Sequence, residues 1–281
     1  MAQKPQTLDG KLAIVSGSSK GIGAAIAIEL ASRGALVVTN YPYAHLQQEA
    51  ESTLGKIRAT GGNHVGECFA IESDLSTLEG PKHLVAEAVK RTNGRKVDIL
   101  VNNAGIAIMS PLKDITVEQW DAQVNLNGRG TLLLTQAVLP HLAKPSRIVN
   151  LSSSGARQPY PGASIYNGTK SMIESFTRCW AVISVLPQGS MLTSFTPPSE
   201  LGREYQCTVN AICPGATSTD AFNSLVGATR DSLEPMLAMT PAASRLGETE
   251  EMAYAAAFFC EERGRWMTGV CLAVNGGTLM A

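Results

Sequence analysis

Lys11-Leu-Ala-Ile-Val-Ser16 runs directly into Gly17-Ser18-Ser19-Lys20-Gly21-Ile22-Gly23 and then into Ala24-Ala-Ile-Ala-Ile-Glu-Leu30. The first segment is a short apolar run, the last repeats its apolar residues at helical spacing, and the middle is rich in glycine. Together they predict strand, tight turn and helix. Glycines at 17, 21 and 23 let the backbone turn sharply and approach a pyrophosphate, which would rest on the N–H groups and positive dipole end of the helix. Ser19, Lys20 and Ile22 would stand at the same turn. An ordinary glycine-rich turn carries the same residues, but its place between a strand and a helix favours the phosphate reading and an open α/β sheet.

Working outward, Ala35-Leu-Val-Val-Thr-Asn40 predicts a second strand. Its end is where sheets of this kind place an acidic residue against the hydroxyls of an NAD ribose. Asn40 and Tyr41 stand there instead, so nothing repels a 2′-phosphate and Lys20 could supply its counter-charge; NADP(H) is expected over NAD(H). Lys20 could equally be a solvated turn residue. Residues 45–60 predict a helix ending at Gly61-Gly62, and Val65-Gly-Glu-Cys-Phe-Ala70 a third strand. Asp74 can then meet an adenine amino group or cap a helix beginning near Leu78.

Val97 to Val101 predicts the fourth strand, running into Asn102-Asn103-Ala104-Gly105. These small residues suit a backbone lying close to a cofactor, and asparagines there can also tie strand ends together. From Thr116 to Leu142 the spacing predicts one long helix. Asn125-Leu126-Asn127-Gly128 inside it costs helix stability, which predicts a local kink at a functional asparagine.

Arg147 to Leu151 predicts the fifth strand, ending in Ser152-Ser153-Ser154. A hydroxyl at that end points into the crevice where such folds bind ligands, although three serines also suit a polar loop. Beyond it come Tyr166-Asn167-Gly168-Thr169-Lys170. Residues four apart share a helix face, so the Lys170 ammonium could favour the phenolate of Tyr166. A phenol with a pKa near ~10 is otherwise a poor proton-transfer group at neutral pH.

Gly17/Gly21/Gly23, Asp74, Asn102-Asn103-Ala104-Gly105, Asn125 in Asn-Leu-x-Gly, Ser153, Tyr166-x-x-x-Lys170 and Pro214-Gly215 occur in one order along most of the chain. In this the chain resembles the short-chain dehydrogenase/reductase family, of the single-domain, ketoreductase-like kind. The resemblance implies one Rossmann-type doubly wound domain over residues 1–281, with about seven parallel strands and helices on both faces. It implies that Tyr166 exchanges a proton with the substrate oxygen, Ser153 hydrogen-bonds that oxygen, and Lys170 lowers the tyrosine pKa and holds the nicotinamide ribose. The Asn125 carbonyl would position a relay water. Ser153 is preferred among the three serines for its spacing of thirteen to Tyr166. The interval from Trp120-Asp121 to Asn125 is about two residues short for the family, and Asn127 is the alternative.

Cys207 to Cys213 predicts the sixth strand and the segment from Trp266 to Gly277 the seventh with its exit turn. The family's loop over the nicotinamide would be Pro214, Gly215, Thr217 and Thr219. Residues 216–248 would hold the substrate lid, with Phe222, Leu225, Met236, Leu237 and Met239 as an apolar lining. Residues 182–199 fit no element, because three prolines cannot lie inside the helix that carries Tyr166. Joining Ala181 to Glu200 would restore an uninterrupted helix end. The stretch is either a surface loop or translated non-coding sequence.

A formal net charge of −1 over 281 residues, without a Lys/Arg run, argues against nucleic-acid binding. No apolar run is long enough for a membrane span and no leader pattern is evident, so a cytosolic protein is expected. Six scattered cysteines and four histidines lack metal-ligand spacing, which predicts reduced, mostly buried thiols and no metal. The expected partners are a small carbonyl or alcohol substrate and further copies of the chain, as homodimer or homotetramer. An NAD-dependent alcohol dehydrogenase and a catalytically silent cofactor-binding protein are the competing readings.

Overall fold

Strands whose residues are buried on both sides read as continuous apolar runs and need helices on both faces. The computed structural model, which describes residues 5–181, 206–225, 234–235 and 237–280, has this arrangement. In chain order the strands are β1 (Leu12–Val15), β2 (Leu36–Tyr41), β3 (Phe69–Glu72), β4 (Val97–Asn102), β5 (Leu142–Leu151), β6 (Cys207–Pro214) and β7 (Cys271–Val274). They form one sheet of order β3-β2-β1-β4-β5-β6-β7, with every pair parallel. The order reverses between β1 and β4, and the crevice beyond their carboxyl ends is where such sheets bind ligands.

Among the described residues the α-helices are α1 (Gly21–Ser32), α2 (Gln47–Ala59), α3 (Gly80–Arg91), α4 (Val117–Gln123), α5 (Thr131–Val138), α6 (Ser164–Ala181), α7 (Asp220–Leu225) and α8 (Thr249–Cys260). Strand alternation divides the apolar residues between two cores. Ala13, Val15, Ile99 and Val101 pack with α1, α2 and α8 through Ile26, Leu30, Leu54, Ile57, Met252 and Phe259. Leu12, Ile14, Leu100 and Ile148 pack on the opposite face with α3, α5 and α6 through Leu84, Leu134, Val138 and Trp180. The doubly wound sheet expected from the sequence is thus present.

Three elements differ from expectation. The third strand lies at Phe69–Glu72 rather than 65–70, because Val65 and Glu67 bond back to Gly62 and His64 in turns and Ser73 continues the pairing to Tyr41. The segment 116–142 is not one helix: α4 and α5 are separated by a π-helical segment, Val124–Gly130, and Leu142 already belongs to β5. The seventh strand is limited to Cys271–Val274. The 182–199 stretch and Met236 lie outside the described residues. Among the described residues no helix is long and apolar enough to cross a membrane.

Candidate active site

The glycine turn from β1 to α1 is held against the end of β4. Gly17 and Gly21 have φ of 58° and 61°, left-handed values that suit glycine. A Cβ on Gly17 would lie 2.8 Å from Ala104 Cα, and one on Gly23 would lie 2.3 Å from Asn103 Nδ2. Asn103 Nδ2 donates to the carbonyls of Ser16 and Gly17 at 2.9 and 2.8 Å. Ser16 Oγ accepts from the backbone N–H groups of Asn103 and Ala104. Lys20, at the N-cap of α1, makes no side-chain capping bond, and the first turn of the helix holds no acidic residue. Its backbone donors and dipole therefore suit an anion. Ser19 is buried, Ile22 half-buried and Lys20 exposed at this rim. The loop after β6 crosses the turn, with the Thr219 methyl carbon 3.7 Å from the position of a Cβ on Gly21. This cradle fits the pyrophosphate of a dinucleotide.

At the end of β2 the structure corrects one expectation. Asn40 is buried, and its side chain is committed to partners within the protein. Its Oδ1 accepts from the backbone N–H of Gly17 at 3.0 Å. Its Nδ2 donates to the carbonyls of Tyr41, Ile71 and Ser73 at 3.3, 3.2 and 3.0 Å. Asn40 thus ties the glycine turn to β3. Tyr41 is also buried, and burial followed by the charges of Glu72 and Glu51 raises its phenol pKa. Tyr43 stacks on His45 with ring centroids 5.7 Å apart; burial, then Asp74, raises its pKa. Asp74 Oδ1 accepts from Ser76 N and Ser76 Oγ at 2.9 and 2.7 Å. It therefore closes a turn, and α3 begins later, at Gly80.

The catalytic candidates converge at the carboxyl end of β5. Of the three serines, Ser152 Oγ donates to the Lys170 carbonyl at 3.1 Å and Ser154 is buried. Ser153 accepts from Gly155 N at 3.1 Å, and its hydroxyl is near enough to Tyr166 to act on that phenol's pKa. Burial raises the Tyr166 pKa and the Ser153 hydroxyl opposes it, the net direction being upward. That differs from the expected downward pull by Lys170. The Lys170 ammonium lies 5.7 Å from the centroid of the Tyr166 ring and donates to the Leu151 carbonyl at 2.7 Å. Burial pushes Lys170 down to about 8, with the neighbouring Cys213 opposing.

The asparagine in this constellation is Asn127, not Asn125. Asn127 is buried, its Oδ1 accepts from Ile106 N at 2.9 Å, and its Nδ2 donates to Ile106 O at 2.9 Å and Thr169 Oγ1 at 3.0 Å. A Cβ on Gly105 would lie 3.2 Å from Asn127 Oδ1 and 3.5 Å from Lys170 Nζ, so both groups border the same backbone. Asn125 is only half-buried. The π-helical segment adds residues per turn, which brings Asn127 beneath the strand end. The two-residue shortfall from Trp120 was the sequence signal for this shift.

Residues not singled out from the sequence complete the site. Thr169 bridges Asn127 to the Tyr166 carbonyl, to which its hydroxyl donates at 2.7 Å. A buried polar ladder, in which Asn102 Nδ2 donates to Thr135 and Asn150 and Asn150 Nδ2 donates to Thr177, locks β4, α5, β5 and α6 together. Asn102 is thus structural. Pro214 is buried, Gly215 packs against Asn275, and Thr217 Oγ1 donates to the Gly215 carbonyl at 3.0 Å. Of the expected lid lining, Phe222 and Leu237 are half-buried and Met239 is exposed. A cavity of about 590 Å³ opens beside this loop, walled by Gln158, Tyr160, Ala216, Met239 and the residues after β7. All six cysteines are free thiols, four of them buried. Among the described residues no His/Cys/Asp/Glu group could hold a metal ion.

These features define a dinucleotide-dependent enzyme, and comparison with known proteins supplies the family. Residues 11–184 match the model for short chain dehydrogenase, and 199–278 match the model described as Enoyl-(Acyl carrier protein) reductase. The chain is 38% identical over 278 residues to the short-chain dehydrogenase/reductase FrzI of a Cladobotryum species, covering 97% of each protein. It is 29% identical over 282 residues to a probable tetrahydroxynaphthalene reductase of Zymoseptoria tritici, covering 97% of this chain and 96% of that one. A short chain dehydrogenase from Burkholderia cenocepacia, solved in complex with NADP, superposes with a TM-score of 0.80 at 30% identity, covering 97% of this chain and 99% of the other. The chain belongs to the short-chain dehydrogenase/reductase family. It is an oxidoreductase acting on carbonyl or alcohol groups with a nicotinamide cofactor.

Proposed function

We propose that this chain reduces the carbonyl of a small or medium apolar ketone, with NADPH as the hydride donor. The observation that carries the reading is the convergence of Ser153, Tyr166 and Lys170 at the end of β5, beside a cradle suited to a dinucleotide. Ser153 orients the substrate oxygen, and Tyr166 delivers a proton to it. A phenol held upward in pKa stays protonated at neutral pH, which suits a donor in the reductive direction. Lys170, with its pKa near 8, returns a proton toward Tyr166, and Asn127 fixes the strand end behind them. The cofactor supplies the hydride when bound.

The absence of a carboxylate side chain at the end of β2, together with exposed Lys20 at the turn, supports NADP(H) over NAD(H). The Burkholderia short chain dehydrogenase, solved in complex with NADP, supports the same choice. Gly17, Ser19, Lys20, Gly21, Ile22, Gly23, Asn103, Ala104 and Gly105 would hold the dinucleotide, with Pro214, Gly215, Thr217 and Thr219 covering it. The tetrahydroxynaphthalene reductase relative supports a polyketide-like substrate.

The whole chain acts as one domain, with residues 216–248 as substrate lid and a homodimer or homotetramer as the assembly. Residues 185–198, between the two family-model matches, fall within the atypical 182–199 stretch. Mass spectrometry of the natural protein decides whether that stretch is translated: a peptide joining Ala181 to Glu200 rejects a surface loop. Fluorescence titration of NADPH against NADH, followed by NADPH consumption on a ketone panel, tests the function. Tighter NADPH binding and turnover are expected; no turnover on any carbonyl would leave the silent-protein reading in its place.

A further inference from the structure

The turn that follows Ser153 is fastened to the helix carrying Tyr166, and the fastening residues fall in one row. Asn167, Ser171, Glu174 and Arg178 recur at intervals of four, three and four along α6. That spacing sets them on one face, beside the row holding Tyr166 and Lys170. Three of the four hold the turn Ser154–Ala156 and the two residues after it. Asn167 Nδ2 donates to the Gln158 carbonyl at 3.4 Å, and Ser171 Oγ donates to the Ala156 carbonyl at 2.8 Å. Arg157 Nε donates to Glu174 Oε2 at 3.0 Å.

Glu174 stands apart as a buried acid, 4% exposed. Its Oε1 accepts from Cys213 Sγ at 3.4 Å, so the carboxylate is fixed against β6 while its other oxygen faces Arg157. Arg178 Nη1 adds a longer contact to that second oxygen, at 3.5 Å. A buried ion pair is often no more stabilising than packed apolar side chains of similar size, because both charges lose their water. What such a pair does supply is direction.

The direction matters because the same turn aims Ser153. Gly155 N donates to Ser153 Oγ at 3.1 Å, which occupies a lone pair of the hydroxyl and leaves its proton for the substrate oxygen. A Cβ on Gly155 would lie 2.4 Å from Asn167 Oδ1, so the backbone that presents this N–H is pressed against α6. A turn released from α6 would carry the Gly155 N–H, and with it the Ser153 hydroxyl, out of line.

We propose that Glu174 is a positioning residue of the reductase: by holding Arg157 it fixes the turn whose Gly155 N–H aims the Ser153 hydroxyl at the substrate oxygen. This rests on the carbonyl-reductase reading and adds to it a residue that touches neither substrate nor cofactor. The hydrogen bond from Ser153 strengthens as charge develops on the substrate oxygen. Losing its aim therefore lowers kcat more than it raises KM.

Three variants of the full chain test this with NADPH and a ketone panel that includes acetophenone and cyclohexanone. Arg157→Met/Glu174→Leu replaces the pair by apolar side chains and should keep the wild-type Tm or exceed it. Its kcat should nonetheless fall about tenfold, the cost of a misaimed group at the reacting oxygen, with ketone KM and the NADPH dissociation constant within about twofold of wild type. Glu174→Leu alone should lose as much kcat, because Arg157 is left with nothing to hold. Glu174→Gln keeps an oxygen for Arg157 Nε and should recover kcat to within about threefold of wild type. Wild-type kcat in the double variant, equal losses in the glutamine and leucine variants, or a fall in kcat that follows Tm across all three would overturn the positioning role and leave the reductase reading intact. Wild-type turnover of no ketone in the panel would overturn both.

Discussion

Replacing Asn127 by alanine should damage both stability and turnover, whereas the same change at Asn125 should do little. The Asn127 side chain makes three hydrogen bonds from a buried position, two to Ile106 and one to Thr169. At about 1 kcal/mol net for each bond, the loss comes to about 3 kcal/mol. For a chain of this size that lowers Tm by roughly 5–10 °C. Because Ile106 follows Gly105 beside Lys170, and Thr169 bonds the Tyr166 carbonyl, the site should loosen as well, with kcat falling at least tenfold. Thermal unfolding followed by circular dichroism and steady-state NADPH consumption measure the two effects. Asn125→Ala should lose under about 1 kcal/mol, as a half-buried side chain outside this network. Equal losses in the two variants, or a larger loss at Asn125, would refute the assignment.

Further outcomes follow from the same geometry. Asn40→Asp should destabilise the protein by about 3 kcal/mol rather than convert it to NAD, because a carboxylate oxygen would face the three carbonyls that Asn40 Nδ2 now serves; a stable variant with switched cofactor preference would contradict this. Lys20→Ala should weaken NADPH binding about tenfold with NADH binding unchanged, read by cofactor fluorescence. Lys170 gives a pH test. Its pKa falls from about 10.5 when unfolded to about 8 when folded, so above pH 8 the unfolded chain binds more protons and stability gained from neutral Lys170 grows until pH ~10.5. Relative to Lys170→Met, the cofactor-free wild type should gain up to about 3 kcal/mol across that window; a constant difference in denaturant midpoints would show that burial does not govern this lysine.

Much of this was legible because local chemistry and global fold agree. The glycine turn needs left-handed glycines at 17 and 21 and close approach at 17 and 23, and all three glycines were visible as sequence. Tyr166 and Lys170 sit on one regular helix, where spacing predicts a shared face, and Ser153 lies two residues past the end of β5. What was missed depends on side-chain direction or backbone irregularity. Asn40 stands at the predicted strand end, but no periodicity reveals that its amide turns inward to bridge Gly17 and β3. A π-helical segment has no strong sequence code, so Asn125 and Asn127 could be separated only by the short interval from Trp120. The third strand slipped because 65–70 and 69–72 share apolar residues and only turn bonds decide between them. Tyr160 and Gln158 lie on a loop, where an aromatic residue carries no pattern that points to a cavity.

The central claim is that Tyr166 is the proton donor of a carbonyl reductase, and Tyr166→Phe tests it most directly. The variant should bind NADPH with the affinity of the wild type in a fluorescence titration, yet consume it with ketone at least a thousandfold more slowly, about the full range of general acid catalysis. Retention of wild-type turnover alongside normal NADPH binding would contradict the account.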